Sequence, residues 1–394
     1  MINVSDNIFV LNTKDTTYVF GILPTGQPEH LYYGRKITVA DASGLREKHV
    51  FQPGNSVVYD SEHDNYTLED VSLEMSSYGK GDIREPFVKL VYEDGSFSSD
   101  FIYDSYEITC VKPALESLPS SYDMSDGTNH LILRLKECGS GLAMELHYHV
   151  FEECNVITRY TKLINNTSAA VRIDKIMSCQ LDMQDSGFDF VTFNGAWARE
   201  MQIGKVPVSH SRLVNSSYTG TSSSRANPFV MLARTQTTET AGECYGFNLI
   251  YSGNHYESVQ VGAYGKMRFM SGINPENFAW TLESGEEFET PEAVMAYSYE
   301  GYNGLSECMH DFVREHIVRG KWKNKVRPVL LNSWEACYFD INERKLLNLA
   351  RKAADMGIEL FVMDDGWFGK RNDDKSSLGD WQVNKDKLPG GVDG

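Results

Sequence analysis

The chain has 394 residues, 41% hydrophobic and 23% charged, an ordinary globular composition with room for about two domains. A formal net charge of −18 and the lack of any basic stripe argue against nucleic acid and against an anionic membrane surface, and leave neutral ligands open. No run of 18 apolar residues is present to cross a membrane, and seven cysteines without a C-x-x-C pair read as reduced thiols, not as a disulfide framework or a zinc site.

The N-terminus, Met1-Ile2-Asn3-Val4-Ser5-Asp6, has neither a basic n-region nor an apolar h-region, so a cytoplasmic chain is expected. Residues 1–300 read as an antiparallel β domain. Phe9-Val10-Leu11 and Tyr18-Val19-Phe20, separated by a polar turn, predict an opening hairpin. Met144, Leu146, Tyr148 and Val150 alternate with Glu145, His147 and His149, the pattern of a strand with one buried and one polar face. Strands follow at 156–165 and 171–181 across the turn-forming stretch 165–169, then at 244–251, 258–262 and 293–299. The Ser-rich stretch 219–225 reads as a surface loop.

The texture changes near Gly301. In 304–319, Leu305, Met309, Phe312, Val313 and Ile317 recur at helical spacing, and Gly320 supplies a stop. Residues 301–326 are therefore expected to be a connecting helix and a short basic linker. Residues 327–394 differ again. Val329-Leu330-Leu331 is a candidate buried strand, 343–356 an amphipathic helix capped by Asn342 and stopped by Gly357, and Leu360-Phe361-Val362-Met363 a second apolar strand. Strand, helix and strand with short links predict parallel strands with a right-handed crossover. The fold class expected is thus multidomain, β followed by α/β.

The second strand runs into Asp364-Asp365-Gly366, and Trp334 lies just past the first, so all three residues open onto one edge of the unit. Adjacent carboxylates can accept hydrogen bonds from the vicinal hydroxyls of a sugar, and an indole can cover its apolar face. Taken alone, Asp-Asp-Gly reads equally as a turn. Asp373 and Asp374 raise a metal site, but no histidine accompanies them and the spacing fits no calcium loop.

The stretches Asn332-Ser333-Trp334-Glu335-Ala336-Cys337-Tyr338-Phe339-Asp340, Phe361-Val362-Met363-Asp364-Asp365-Gly366-Trp367-Phe368-Gly369 and Ser376-Ser377-Leu378-Gly379-Asp380-Trp381 resemble the start of the catalytic barrel of family-36 glycoside hydrolases, the bacterial α-galactosidases. Gly195-Ala196-Trp197-Ala198-Arg199-Glu200 resembles a motif of that family's N-terminal domain, and Gly81-Asp82-Ile83-Arg84-Glu85-Pro86 does so more weakly. Ser333 and Cys337 stand where relatives often carry Asn and Thr. The resemblance implies a β-supersandwich over 1–300, followed after the 301–326 connector by the first βαβ of a (β/α)8 barrel over 327–394. It implies retaining hydrolysis of terminal α-galactosides of the melibiose and raffinose type, with no metal or cofactor. It also implies a galactose pocket that includes Trp334, Asp364 and Asp365. Family members assemble as homo-oligomers, here expected to be a tetramer, with loops near 48–64 the region to inspect for residues reaching a neighbour's site.

A retaining glycosidase needs a nucleophile and an acid/base carboxylate about 5–5.5 Å apart. The resemblance puts the nucleophile in a Lys-Trp-Asp motif, which this sequence lacks, so neither catalytic carboxylate is expected before Gly394. Two alternatives remain open at this stage: an α-N-acetylgalactosaminidase of the same fold, and a non-catalytic carbohydrate-binding β-sandwich.

Overall fold

In a computed structural model, residues 1–38, 42–50, 54, 57–125 and 127–394 are described, apart from the side chain of Ser43. Of the 48–64 stretch, residues 51–53 and 55–56 lie outside the described residues. The chain forms two compact units, Met1–Val318 and Arg319–Gly394.

Among the described residues, the first unit is built from antiparallel sheets of four, six and ten strands. The four-stranded sheet takes the opening strands in order, and the expected hairpin is present: Ile8–Asn12 pairs with Thr16–Ile22, Leu11 opposite Tyr18. Strands Ala143–Phe151 and Val156–Ile164 pair inside the ten-stranded sheet. Met144, Leu146, Tyr148 and Val150 are buried as the alternation requires. Phe9, Phe20 and Tyr148 stack in succession, with ring centroids 4.7 and 5.1 Å apart, a geometry that adds about 0.5–1.5 kcal/mol per pair beyond area burial.

The polar face of Ala143–Phe151 departs from expectation. His147 and His149 are only 4% and 2% exposed. Their polarity is answered internally: His147 meets His130 at 3.0 Å and Glu145 at 3.1 Å, and His149 meets Asp123 at 3.0 Å. The Tyr160 ring stacks on His147 at 4.2 Å. Alternation therefore marks a change of chemistry between the two faces of this strand, not a change from core to water.

Charges are buried as well. Glu74 accepts from Tyr18 and Tyr148, each at 2.7 Å, and lies 3.1 Å from Arg159. Asp182 receives Arg268 at 2.7 Å and Arg84 at 3.2 Å, and Asp82 lies 2.9 Å from both arginines. Asp82 and Arg84 belong to the 81–86 motif, so part of that motif serves the core. Such networks tolerate burial because each charge has partners; deleting one partner leaves its counter-charge bare.

A helix over Gly301–Phe312 continues as a π-helical turn over Val313–Ile317. Leu305 and Phe312 are buried and Met309 and Ile317 pack partly against the same cluster, but Val313 is exposed. Val313 lies about 80° around the helix from Leu305, at the margin of the apolar stripe. The helix seats closely on strand Cys244–Ile250, where a Cβ on Gly246 would meet the Leu305 side chain at 3.0 Å. It is part of the first unit.

In the second unit, Leu330–Asn332 and Leu360–Val362 pair in parallel, and helix Glu343–Asp355 links them. The Asn342 side chain caps that helix, accepting from Lys345 N–H at 3.1 Å, and Gly357 follows at φ 84°. Ile341, Leu346 and Leu388 form its small core, with Phe361, Met363 and Trp367 packed against them. The expected burial of Val329-Leu330-Leu331 is not found: Val329 is 60% and Leu330 50% exposed. A parallel pair has two faces to cover, and one helix with a small apolar cluster does not cover both.

Candidate functional site

The second unit sets its polar residues at the C-terminal ends of the parallel strands. Asn332 closes the first strand, and Asp364 follows the second by two residues. The parallel register sets Asn332 opposite Val362. The Asn332 amide therefore reaches Asp364 Oδ2, while its Oδ1 accepts from the Trp334 backbone N–H at 2.7 Å. Asp364 N–H donates to Ser333 Oγ at 3.1 Å, so two side-chain hydrogen bonds lace the strand ends together.

Asp365 is held from the other side. Both of its oxygens lie 3.0 Å from Arg371 Nε, and Arg371 is buried, donating also to the Ser376 carbonyl at 2.8 Å. Asp364 Oδ1 accepts from Asp365 N–H at 2.6 Å, and Asp365 Oδ1 from Gly366 N–H at 2.7 Å. Gly366 sits at φ 89°, left-handed backbone that suits glycine, with Phe339 backbone atoms as near as 3.1 Å to where a Cβ would stand. Below this turn, Lys387 Nζ donates to the carbonyls of Phe339 and Gly366, each at 2.9 Å. Partial burial lowers the Lys387 pKa, with Asp340 and Asp365 opposing that fall.

Trp334 begins a short helix over Trp334–Cys337 and meets Phe339 and Tyr338 edge-on, at 4.9 and 5.3 Å between ring centroids. It is half-buried, as are Asp364 and Asp365. The rim therefore offers two fixed carboxylates and an indole. Each carboxylate oxygen can accept more than one hydrogen bond, so acceptor capacity remains for a ligand. Asp365 is poorly placed as a general acid, because both its oxygens already engage a guanidinium. Among the described residues no group of three or more His, Cys, Asp or Glu is arranged to hold a metal ion.

All three expected residues lie on the same side of one small unit. Sequence reasoning missed Arg371, Lys387 and the bridging role of Asn332. Asn332 carried a signal, since a polar residue ending an apolar parallel strand faces the same rim as Asp364. Arg371 and Lys387 act from loop positions that no periodicity marks.

Residues 26–283 match the glycosyl hydrolase family 36 N-terminal domain, and residues 287–394 match melibiase. α-Galactosidase AgaA of Geobacillus stearothermophilus is 38% identical over 387 residues, which are 98% of this chain and 53% of that protein. α-Galactosidase Mel36A of Lactobacillus acidophilus is 38% identical over 388 residues, again 98% and 53%. The crystal structure of AgaA superposes with a TM-score of 0.93 at 37% identity, covering 98% of this chain and 54% of that one. Variants of AgaA have been solved with stachyose and with raffinose bound. The chain spans about half the length of the curated relatives it matches.

Proposed function

The chain belongs to glycosyl hydrolase family 36, and from that premise we propose that the whole protein is a retaining α-galactosidase acting on oligosaccharides that end in α-linked galactose, of the melibiose and raffinose type. Trp334, Asp364 and Asp365 form part of its galactose pocket. The observation that carries this reading is the laced rim, where Asp364 and Asp365 are fixed at the strand end next to Trp334. Two further points support it. Active sites of (β/α)8 barrels lie at the C-terminal ends of the strands, and the uncovered apolar surface of Val329 and Leu330 is what further strands and helices of such a barrel would bury.

In this assignment Asp364 and Asp365 accept hydrogen bonds from sugar hydroxyls, and Trp334 covers an apolar face of the ring. The nucleophile and the acid/base belong to residues outside 1–394. Charge at the anomeric carbon then develops against those groups, and the residues described here orient the ring for attack. Release of galactose from raffinose by the whole protein, with retained configuration at the first-formed product, is the expected result. No turnover of any terminal α-galactoside, or turnover with inversion, refutes the reading. We further propose a cytoplasmic homo-oligomer, a tetramer; a monomer mass by light scattering contradicts that part.

A further inference from the structure

The 81–86 motif does more than supply core charges. The carbonyl of Glu85, one residue past Arg84, accepts from Arg268 at 3.0 Å, while its side chain lines an open cleft of about 660 Å³ in the first unit. Ligand clefts commonly measure about 300–1,000 Å³. Lys175 donates to Glu85 Oε1 at 2.7 Å, Tyr256 Oη at 2.8 Å, and Arg212 Nη1 lies 3.2 Å away; Ser258 Oγ donates to Oε2 at 2.7 Å. These partners come from well-separated parts of the chain, so the cleft is a product of the fold.

Lys175 owes its place to an irregularity. The register of Val171–Met183 against Val88–Val91 shifts between Ile173 and Lys175. A bulge of this kind re-aims a side chain and is common beside functional sites. Here it brings the Lys175 ammonium to the cleft floor, where burial draws its pKa down to about 8 and Glu85 opposes the fall.

The lining is neutral in sum: Lys89, Lys175 and Arg212 face Glu85, Asp174 and Glu276. Lys175 and Arg212 share Glu85, and Lys89 lies 4.0 Å from Asp174, which also holds Arg172 at 2.8 Å. Aromatic surface completes the cleft. Tyr218 is 57% exposed at its edge, and Phe278 is half-buried beside it. Half-exposed Arg212 has further donors available to a ligand. Balanced charge, fixed donors and acceptors, and an accessible aromatic face are the chemistry that binds a neutral polyhydroxylated ring.

We propose that this Glu85–Lys175–Arg212 cleft is a second saccharide-binding site, formed by the first unit alone. Its ligand is a neutral oligosaccharide that stacks on Tyr218 and hydrogen-bonds to Arg212. The site stands on its own geometry and does not depend on the α-galactosidase reading, whose failure would appear as absent hydrolysis.

Calorimetry and ligand-observed NMR on the 394-residue chain test it, with raffinose as the probe and inorganic phosphate as the anionic control. Raffinose is expected to bind, and Tyr218→Ala and Arg212→Gln are each expected to weaken it by about tenfold or more. If Arg212→Gln lowers the melting temperature, the mostly exposed Tyr218 decides alone. No raffinose binding, binding insensitive to Tyr218→Ala, or tighter binding of phosphate than of raffinose each overturns the proposal.

Discussion

The two units handle polarity in opposite ways. The first buries charges and histidines deep inside its sheets and pairs them with one another, though one ring nitrogen each of His130 and His149 is left without a partner; Asp182, Arg84, Arg268 and Asp82 are the extreme case of pairing. The second leaves apolar strand residues such as Val329 and Leu330 uncovered and spends its hydrogen bonds on holding Asp364 and Asp365. The lesson is that apolar sequence is no guarantee of burial, and polar sequence no guarantee of exposure. What decides is whether the surrounding fold supplies a cover, or a partner.

That contrast can be broken most severely in the buried network. Asp182→Ala leaves Arg268 and Arg84 short of a counter-charge and is expected to destabilise the first unit by about 3–5 kcal/mol in urea unfolding. A loss below about 1 kcal/mol would mean that the network is hydrated and weakly coupled.

A smaller effect separates the units directly. Limited proteolysis of the 394-residue chain is expected to cut within Arg319–Gly394 at least about tenfold faster than within Met1–Val318, because local opening follows the amount of covered apolar surface. Equal rates would show that uncovered Val329 and Leu330 do not weaken the second unit.

The histidine face gives a pH signature. Burial lowers His130 to about 2 and also lowers His147 and His149. Protons then bind the unfolded chain first. The contribution of these groups is complete above their ordinary pKa near 6.5 and falls as pH drops below it, by up to about 1.4 kcal/mol per pH unit for each histidine protonated only when unfolded. Glu29, raised by burial to about 7, and His255 and Glu257, also raised, act in the opposite sense, so the histidine contribution is read from a comparison. Urea midpoints of the first unit measured from pH 7.5 to 5.5 should fall less steeply, or rise more, in His130→Gln than in the unsubstituted chain. Identical slopes in the two chains contradict the burial argument. The smallest effect belongs to the second unit, where Asn342→Ala removes the cap on Lys345 N–H and should cost about 1 kcal/mol; an unchanged unfolding curve shows the cap to be idle.

Much of the second unit was legible because short-range chemistry builds it. Asn342 and Gly357 bound the helix, and two apolar runs bound the strands, so Trp334, Asp364 and Asp365 could be set on one edge without a structure. Arg371 was hidden, since its role arises from a loop folding back on Asp365. In the first unit the strand alternation around Met144–Val150 was readable, but the burial of His147 and His149 was not, because Asp123 and Tyr160, which answer and cover them, lie elsewhere in the chain. The Glu85 cleft was hidden for the same reason: Lys175, Arg212 and Tyr256 are brought together only by sheet pairing.

The most direct test of the central claim is the steady-state kinetics of Asp364→Asn and Asp365→Asn in the whole protein, with raffinose as substrate. A charged hydrogen bond contributes about 1.5–3 kcal/mol and gains more where it tightens in the transition state, so each variant should lose at least about 100-fold in kcat/KM. Circular dichroism should be unchanged in both. Asp365→Asn also leaves buried Arg371 without its carboxylate and should lower the melting temperature, whereas Asp364→Asn should not, so Asp364→Asn is the cleaner arm. Kinetics equal to the unsubstituted protein in both variants would show that Asp364 and Asp365 form only a structural turn, and that the galactose pocket lies elsewhere.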